Sequence, residues 1–126
     1  VRFEASVRRV FGCRHVIPTH QGRAAERLLC AAIVHPGQVV PGNTHFDTTR
    51  ANIEFSGATA IDIPIAEGKD TALEHPFKGN MDVAALDHLL KEHKGHVGAV
   101  ILTVGTTLAF TWTVTMGDVD VAPPLS

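Results

Sequence analysis

The sequence has no tyrosine, one tryptophan and only two cysteines among its 126 residues. Cys13 and Cys30 form neither a metal-binding nor a redox spacing, so two reduced thiols of a cytoplasmic protein are the expectation. No apolar run approaches the roughly 20 residues needed to span a bilayer, and no signal-peptide pattern opens the chain. A membrane is therefore not expected as a partner. Excess charge of one sign is missing too. Eleven Lys and Arg against thirteen Asp and Glu give a net charge of −2, which offers no basic field to nucleic acid. The eight histidines include no pairing with a nearby Cys and no His-Glu-x-x-His arrangement, so no metal site is expected. Val1 stands where an initiator methionine would, which fits processing or excision from something longer.

What is present is globular. The chain is 44% hydrophobic and 19% charged, enough for one domain or a piece of one. Residues 1–11 read as a short amphipathic helix ended by Gly12, with Phe3, Val7, Val10 and Phe11 on one face. His15–Pro18 reads as a brief extended run. From Gln21 onward Ala25, Leu28, Leu29 and Ala32 follow the spacing of a buried helix face, until Pro36-Gly37 makes a turn. Val39–Pro41 is a short strand with Pro41 at its end. Thr48–Phe55 is a helix closed by Ser56-Gly57, and Thr59–Ile65 is a strand at an edge or ending near Pro64. A polar loop over residues 67–80 leads to Asp82, which can cap a helix with Val83, Leu86, Leu89 and Leu90 as its stripe. Val97–Val104 is β-branched enough for a central parallel strand, with Leu28, Leu29, Leu86 and Leu90 packed on the sheet. Alternation of this kind predicts an α/β fold, a mostly parallel sheet with flanking helices.

The most informative segment runs from His15 through Pro18-Thr19-His20-Gln21-Gly22-Arg23 to Glu26. A turn there feeds a helix start, where unpaired N–H groups and the positive end of the macrodipole attract anions. Gly22 allows close approach of a ligand to the backbone, and Arg23 adds a planar grip suited to phosphate or carboxylate. Gln21, Gly22 and Arg23 thus form a candidate phosphate cradle, though the same residues would also serve an unliganded surface helix.

That segment resembles the Val-Pro-Thr-His-Gln-Gly-Arg-Gly-Ala-Glu stretch of the β-eliminating lyases, the family of tryptophanase and tyrosine phenol-lyase. Ala24 stands in place of the second glycine. Two further segments are similar to family motifs in the same order: Asn43-Thr44-His45-Phe46-Asp47-Thr48-Thr49 and Phe77-Lys78-Gly79-Asn80-Met81-Asp82. The resemblance implies part of the large domain of a fold-type I enzyme dependent on pyridoxal 5′-phosphate. It implies that Gln21, Gly22 and Arg23 contact the cofactor phosphate and that Phe46 stacks on its ring. Asp47 occupies the position held by Asp in tryptophan-cleaving members and Thr in tyrosine-cleaving ones, and is the candidate catalytic residue. An anionic group there suits an indole N–H and proton handling at the leaving ring. As a residue read without the family, Phe46 could equally be a core aromatic and Asp47 a helix cap. Arg50 and Lys78 read as structural or solvated. The implied reaction is cleavage of tryptophan to indole, pyruvate and ammonia. A small amino-acid substrate, a monovalent cation such as potassium and a homotetramer come with it.

The resemblance stops near Thr107. Leu108-Ala109-Phe110-Thr111-Trp112-Thr113 replaces the expected Asn and Gly-Gly-Gln-Pro-Val-Ser segment, which divides the chain into 1–107, a partial lyase domain, and 108–126, a divergent tail. A reading-frame change, a truncation or a misassigned sequence would each explain this. None of Lys69, Lys78, Lys91 and Lys94 lies in the motif of the cofactor-binding lysine, so a catalytically incomplete lyase is expected. The alternatives are a non-catalytic remnant that binds phosphate or a partner, and a small histidine-based metal binder.

Overall fold

The computed structural model describes residues 2–104 and the backbone of Trp112–Val114. Helix α1 (Arg2–Phe11) is followed by an irregular stretch, then α2 (Gly22–Ile33), β1 (Val39–Gly42), α3 (Asp47–Phe55) and β2 (Thr59–Asp62). After a single 3-10 turn at Ala66–Lys69 come α4 (Val83–Glu92), β3 (Val100–Leu102) and β4 (Trp112–Val114). The strands lie in the order β2-β1-β3-β4, with β1 parallel to both neighbours and β4 antiparallel to β3. The expected α/β class and mostly parallel sheet are what the chain forms. β4 falls beyond Thr107, in the segment where the family resemblance stops.

One polar-free cluster holds the layers together. Cys30 of α2 and Val34 just after it, Ile53 of α3, Val40 of β1, Ala58 and Ala60 at β2, and Ala99 and Ile101 at β3 are buried against each other. Ile53 and Val40 are fully excluded from water, each worth about 1.5–3 kcal/mol of burial. At the far end of the helix pair the Arg27 guanidinium lies 3.6 Å from the centroid of the Phe55 ring, a cation–π contact that ties α2 to α3.

Several sequence expectations need correction. The buried face of α2 is Cys30, Ile33 and Val34, not the leucines: Leu28 is 57% exposed and Leu29 38%. The same stripe on α4 is rotated, since Leu89 is buried, Leu86 and Leu90 are half-buried and Val83 is exposed. Periodicity identifies an apolar stripe but cannot rank it against a second one on the same helix. Among the described residues no strand precedes α2. Residues 15–19 are mostly exposed and lie beside no partner strand, and an extended run without a partner makes no ladder. β2 ends at Asp62, and Pro64 forms only an isolated bridge with Met81. The central strand is also shorter than Val97–Val104: only Val100–Leu102 is regular, with Val97 bridging separately to Val39.

Pro41 is not at the end of its strand but inside β1, which is the middle of the sheet. Its missing N–H is accommodated by a break in the ladder. Val39 pairs with Val97 and Gly42 with Ile101, so the register toward β3 slips by one residue between the two pairs, as at a bulge. α3 ends as its sequence predicts, with Gly57 at φ 82, in the left-handed region open to glycine.

Gly42 is required by space. A Cβ there would lie 2.8 Å from both His45 Cε1 and the Ile101 carbonyl oxygen, and 2.9 Å from His45 Nε2. Neither a strand carbonyl nor a buried ring can retreat freely, so Gly42→Ala should destabilise the chain by about 1–3 kcal/mol. A urea unfolding midpoint equal to that of the parent would contradict this packing.

Candidate functional site

The candidate cradle sits at the start of α2. Gln21 is the N-cap, in extended conformation at φ −164 and ψ 162, and its side chain makes no capping bond. Its carbonyl accepts from Ala24 N at 3.1 Å and Ala25 N at 3.2 Å, and also from the Thr19 hydroxyl at 3.1 Å. The N–H groups of Gly22 and Arg23 precede the first intrahelical bond and find no acceptor among the described residues. A Cβ added at Gly22 would meet no atom within 4 Å. The chain's own packing therefore gives no reason for glycine, and the open space suits a phosphate held by backbone donors.

Phe46 and Asp47 lie at the start of α3, reached directly from the C-terminal end of β1. Phe46, not Asp47, is the N-cap, and its carbonyl accepts from Arg50 N at 2.9 Å. Asp47 is the first helical residue, where its charge favours the helix dipole without closing a capping bond. Both side chains are exposed, so Phe46 at 58% is not the core aromatic its composition allows.

Glu26 joins the two helix starts. Its carboxylate accepts from Thr49 Oγ1 at 2.7 Å and from Thr48 Oγ1 at 3.1 Å. Glu26 is one turn beyond Gly22-Arg23, and the threonines directly follow Asp47. The cradle and the Phe46-Asp47 pair are thus parts of one assembly. The sequence held a signal for this, since the two threonines and Glu26 all belong to the quoted motifs.

A second cluster was missed altogether. Asp62, at the end of β2, accepts through Oδ1 from His45 N at 2.9 Å and His45 Nδ1 at 2.6 Å, and through Oδ2 from Arg50 Nη2 at 2.5 Å. Arg50 also donates to the Ala60 carbonyl at 3.2 Å and lies 3.7 Å from Glu54. Arg50 makes structural contacts, and its β2 partners Ala60 and Asp62 could not be paired with it from spacing alone. The third motif is engaged through Asn43, whose amide donates at 2.8 Å to the carbonyls of Gly79 and Thr103 and accepts from Thr103 N at 2.8 Å. Asp82 caps α4 through Ala85 N at 2.9 Å, as its position predicts.

Lysine is not part of this assembly. Lys78 donates to the Asp70 carbonyl and Lys91 to Asp87 on its own helix, while Lys69 and Lys94 are exposed. No group of three or more metal-ligating side chains occurs among the described residues, and no described helix is long and apolar enough to cross a membrane.

Two helix starts, one with open backbone donors and one with an exposed aromatic and an acid, are thus joined on one α/β sheet. A family model described as beta-eliminating lyase matches residues 1–115, and the chain belongs to that family. It is 56% identical over 103 residues to a tryptophanase of Hyphomonas neptunium, covering 82% of this chain and 23% of that protein. A tryptophanase of Rhodobacter capsulatus is 54% identical over the same length, again 82% of this chain and 23% of the relative. A tyrosine phenol-lyase of Symbiobacterium sp. is 45% identical over 89 residues, 71% of this chain and 19% of that protein. The chain therefore spans under a quarter of the length of these curated relatives.

Asp62 carries a pH signature. Burial pushes its carboxyl up, but the backbone and ring hydrogen bonds from His45 and the Arg50 charge together hold it below its usual value. A carboxyl that is more acidic folded than unfolded stabilises the fold above its unfolded pKa, and that contribution is lost as pH falls through the folded value. Asp62→Asn should therefore be less stable than the parent near neutrality and lose less stability on acidification below about pH 4. Parallel acid-unfolding curves for the two proteins would remove this role.

Proposed function

We propose that this chain supplies the cofactor-phosphate and ring-stacking part of a pyridoxal-phosphate-dependent carbon–carbon lyase that acts on tryptophan. The observation that carries the reading is Glu26, which joins the Gln21-Gly22-Arg23 cradle to the helix start bearing Phe46 and Asp47. In this reading the N–H groups of Gly22 and Arg23 and the Arg23 guanidinium hold the phosphate, and Phe46 lies against the pyridine ring. The cofactor supplies an electron sink when bound. Asp47 accepts the indole N–H and holds a proton near the leaving ring. The acid at that position, together with the tryptophanases among its relatives, supports tryptophan over tyrosine as substrate. The whole protein in this proposal is a cytoplasmic homotetramer that uses a monovalent cation such as potassium. Residues 1–107 form part of its large domain, and 108–126 are a divergent tail.

The chain by itself is proposed to bind without turning over, because none of its lysines is placed at the cradle. That same observation favours the second reading, a phosphate-binding module without catalysis. Two measurements test these readings, and the second separates them. The cofactor analogue 4′-deoxypyridoxine 5′-phosphate, which has no aldehyde to react with stray lysines, should bind the chain, and Arg23→Ala should weaken it by about 1.5–3 kcal/mol. An unchanged affinity would return Arg23 to the surface.

The second measurement uses a hybrid in which the matched residues of this chain replace their counterparts in the Hyphomonas neptunium tryptophanase. The hybrid should release indole from tryptophan, whereas the chain alone should not. Asp47→Thr in the hybrid should impair indole release more than elimination from an amino acid with a good leaving group. Equal losses on both substrates would leave Asp47 with a helix-dipole role only.

A further inference from the structure

The Phe46-Asp47 segment is held on both sides by one carboxylate that belongs to neither. Asp62 receives the backbone N–H and the ring of His45 on one side and the guanidinium of Arg50 on the other, while Arg50 N closes the circuit onto the Phe46 carbonyl. The ring of His45 is withdrawn from water and packs over Gly42, so its orientation is fixed by shape as well as by the bond to Asp62. Its Nε2 is buried with no hydrogen-bond partner among the described residues. With Asp62 an obligate acceptor, the proton of a neutral His45 ring is assigned to Nδ1. An orphaned buried ring nitrogen has a desolvation cost, so its place is held by the contacts around it.

We infer that Asp62, acting through His45 and Arg50, is the positioning group that aims the Phe46 ring and the Asp47 carboxylate at the ligand. This rests on the proposed lyase reading for what the ligand is, but the clamp itself does not. The segment it holds is otherwise exposed. Both side chains are exposed and lie outside the buried core, so the backbone on either side carries much of their placement. The strand and the helix supply only one end each. The cross-element carboxylate fixes the intervening turn.

The test has two arms. In the 126-residue chain, Asp62→Ala should speed amide hydrogen exchange at His45 and Arg50 by roughly tenfold or more, while Ile53 in the core keeps its protection. Unchanged exchange at His45 and Arg50 would overturn the clamp whatever the protein's function. In the tryptophanase hybrid, His45→Phe should lower kcat for tryptophan by roughly tenfold to a hundredfold with a smaller effect on a good-leaving-group substrate. It should also change the visible circular dichroism of the bound cofactor. His45→Asn, whose amide can donate from near the Nδ1 position, should restore much of both. Equal losses on the two substrates that track thermal stability, without rescue by Asn, would reduce His45 to a packing residue and overturn the positioning role. An inactive parent hybrid would instead count against the lyase reading, and the exchange arm would still decide the clamp.

Discussion

Everything at the candidate site hangs from the C-terminal end of β1, where a strand buried on both edges must stop. A central strand cannot leave its last N–H and carbonyl groups unpaired, yet the chain has to turn away there to start α3. The solution is to continue the pairing with side chains. Asn43 takes over from the strand toward β3, and the Asp62-His45 pair takes over toward β2. Asn43 and His45 are buried polar residues, and they tie the turn that follows to β2 and β3.

Much of the architecture was legible in the sequence for physical reasons. Short β-branched runs alternating with helical periods, separated by Pro-Gly or Ser-Gly, leave little besides an α/β layer arrangement. Asp82 as a cap and Gly57 as a stop are local rules, and local rules survive into the structure. What failed were inferences about faces. α2 carries two apolar stripes, one through Cys30 and Val34 and one through Leu28 and Leu29, and only contact with the sheet decides between them. Pro41 was misplaced for a similar reason, since the tolerance for a missing donor comes from a register slip in the partner strand.

The site divides in the same way. Gln21, Gly22, Arg23, Phe46 and Asp47 could be proposed from sequence because their motifs are contiguous and each has a chemical rationale at a helix start. Asp62 could not, because nothing about an Asp at a strand end announces that a histidine 17 residues earlier will bring both its backbone and its ring to one oxygen. Glu26 lies between. It was part of a quoted motif, but its role appears only when two helices are set side by side. Contiguous motifs can be read from sequence, whereas contacts between separate elements, such as Glu26 with Thr48 and Thr49, appear only in the structure.

Asn43 has a chemical vulnerability that follows from its contacts. Both amide hydrogens go to carbonyl oxygens, of Gly79 and Thr103, while its own oxygen receives a backbone N–H. The orientation of the amide is therefore dictated by its neighbours, with no freedom to flip. Spontaneous deamidation would exchange that donor for an anionic oxygen facing two carbonyls at hydrogen-bond distance. Where most asparagines age into a tolerated aspartate, this one would convert a join between three chain segments into a repulsion, so the lifetime of the site is tied to the burial that shields a single amide from water.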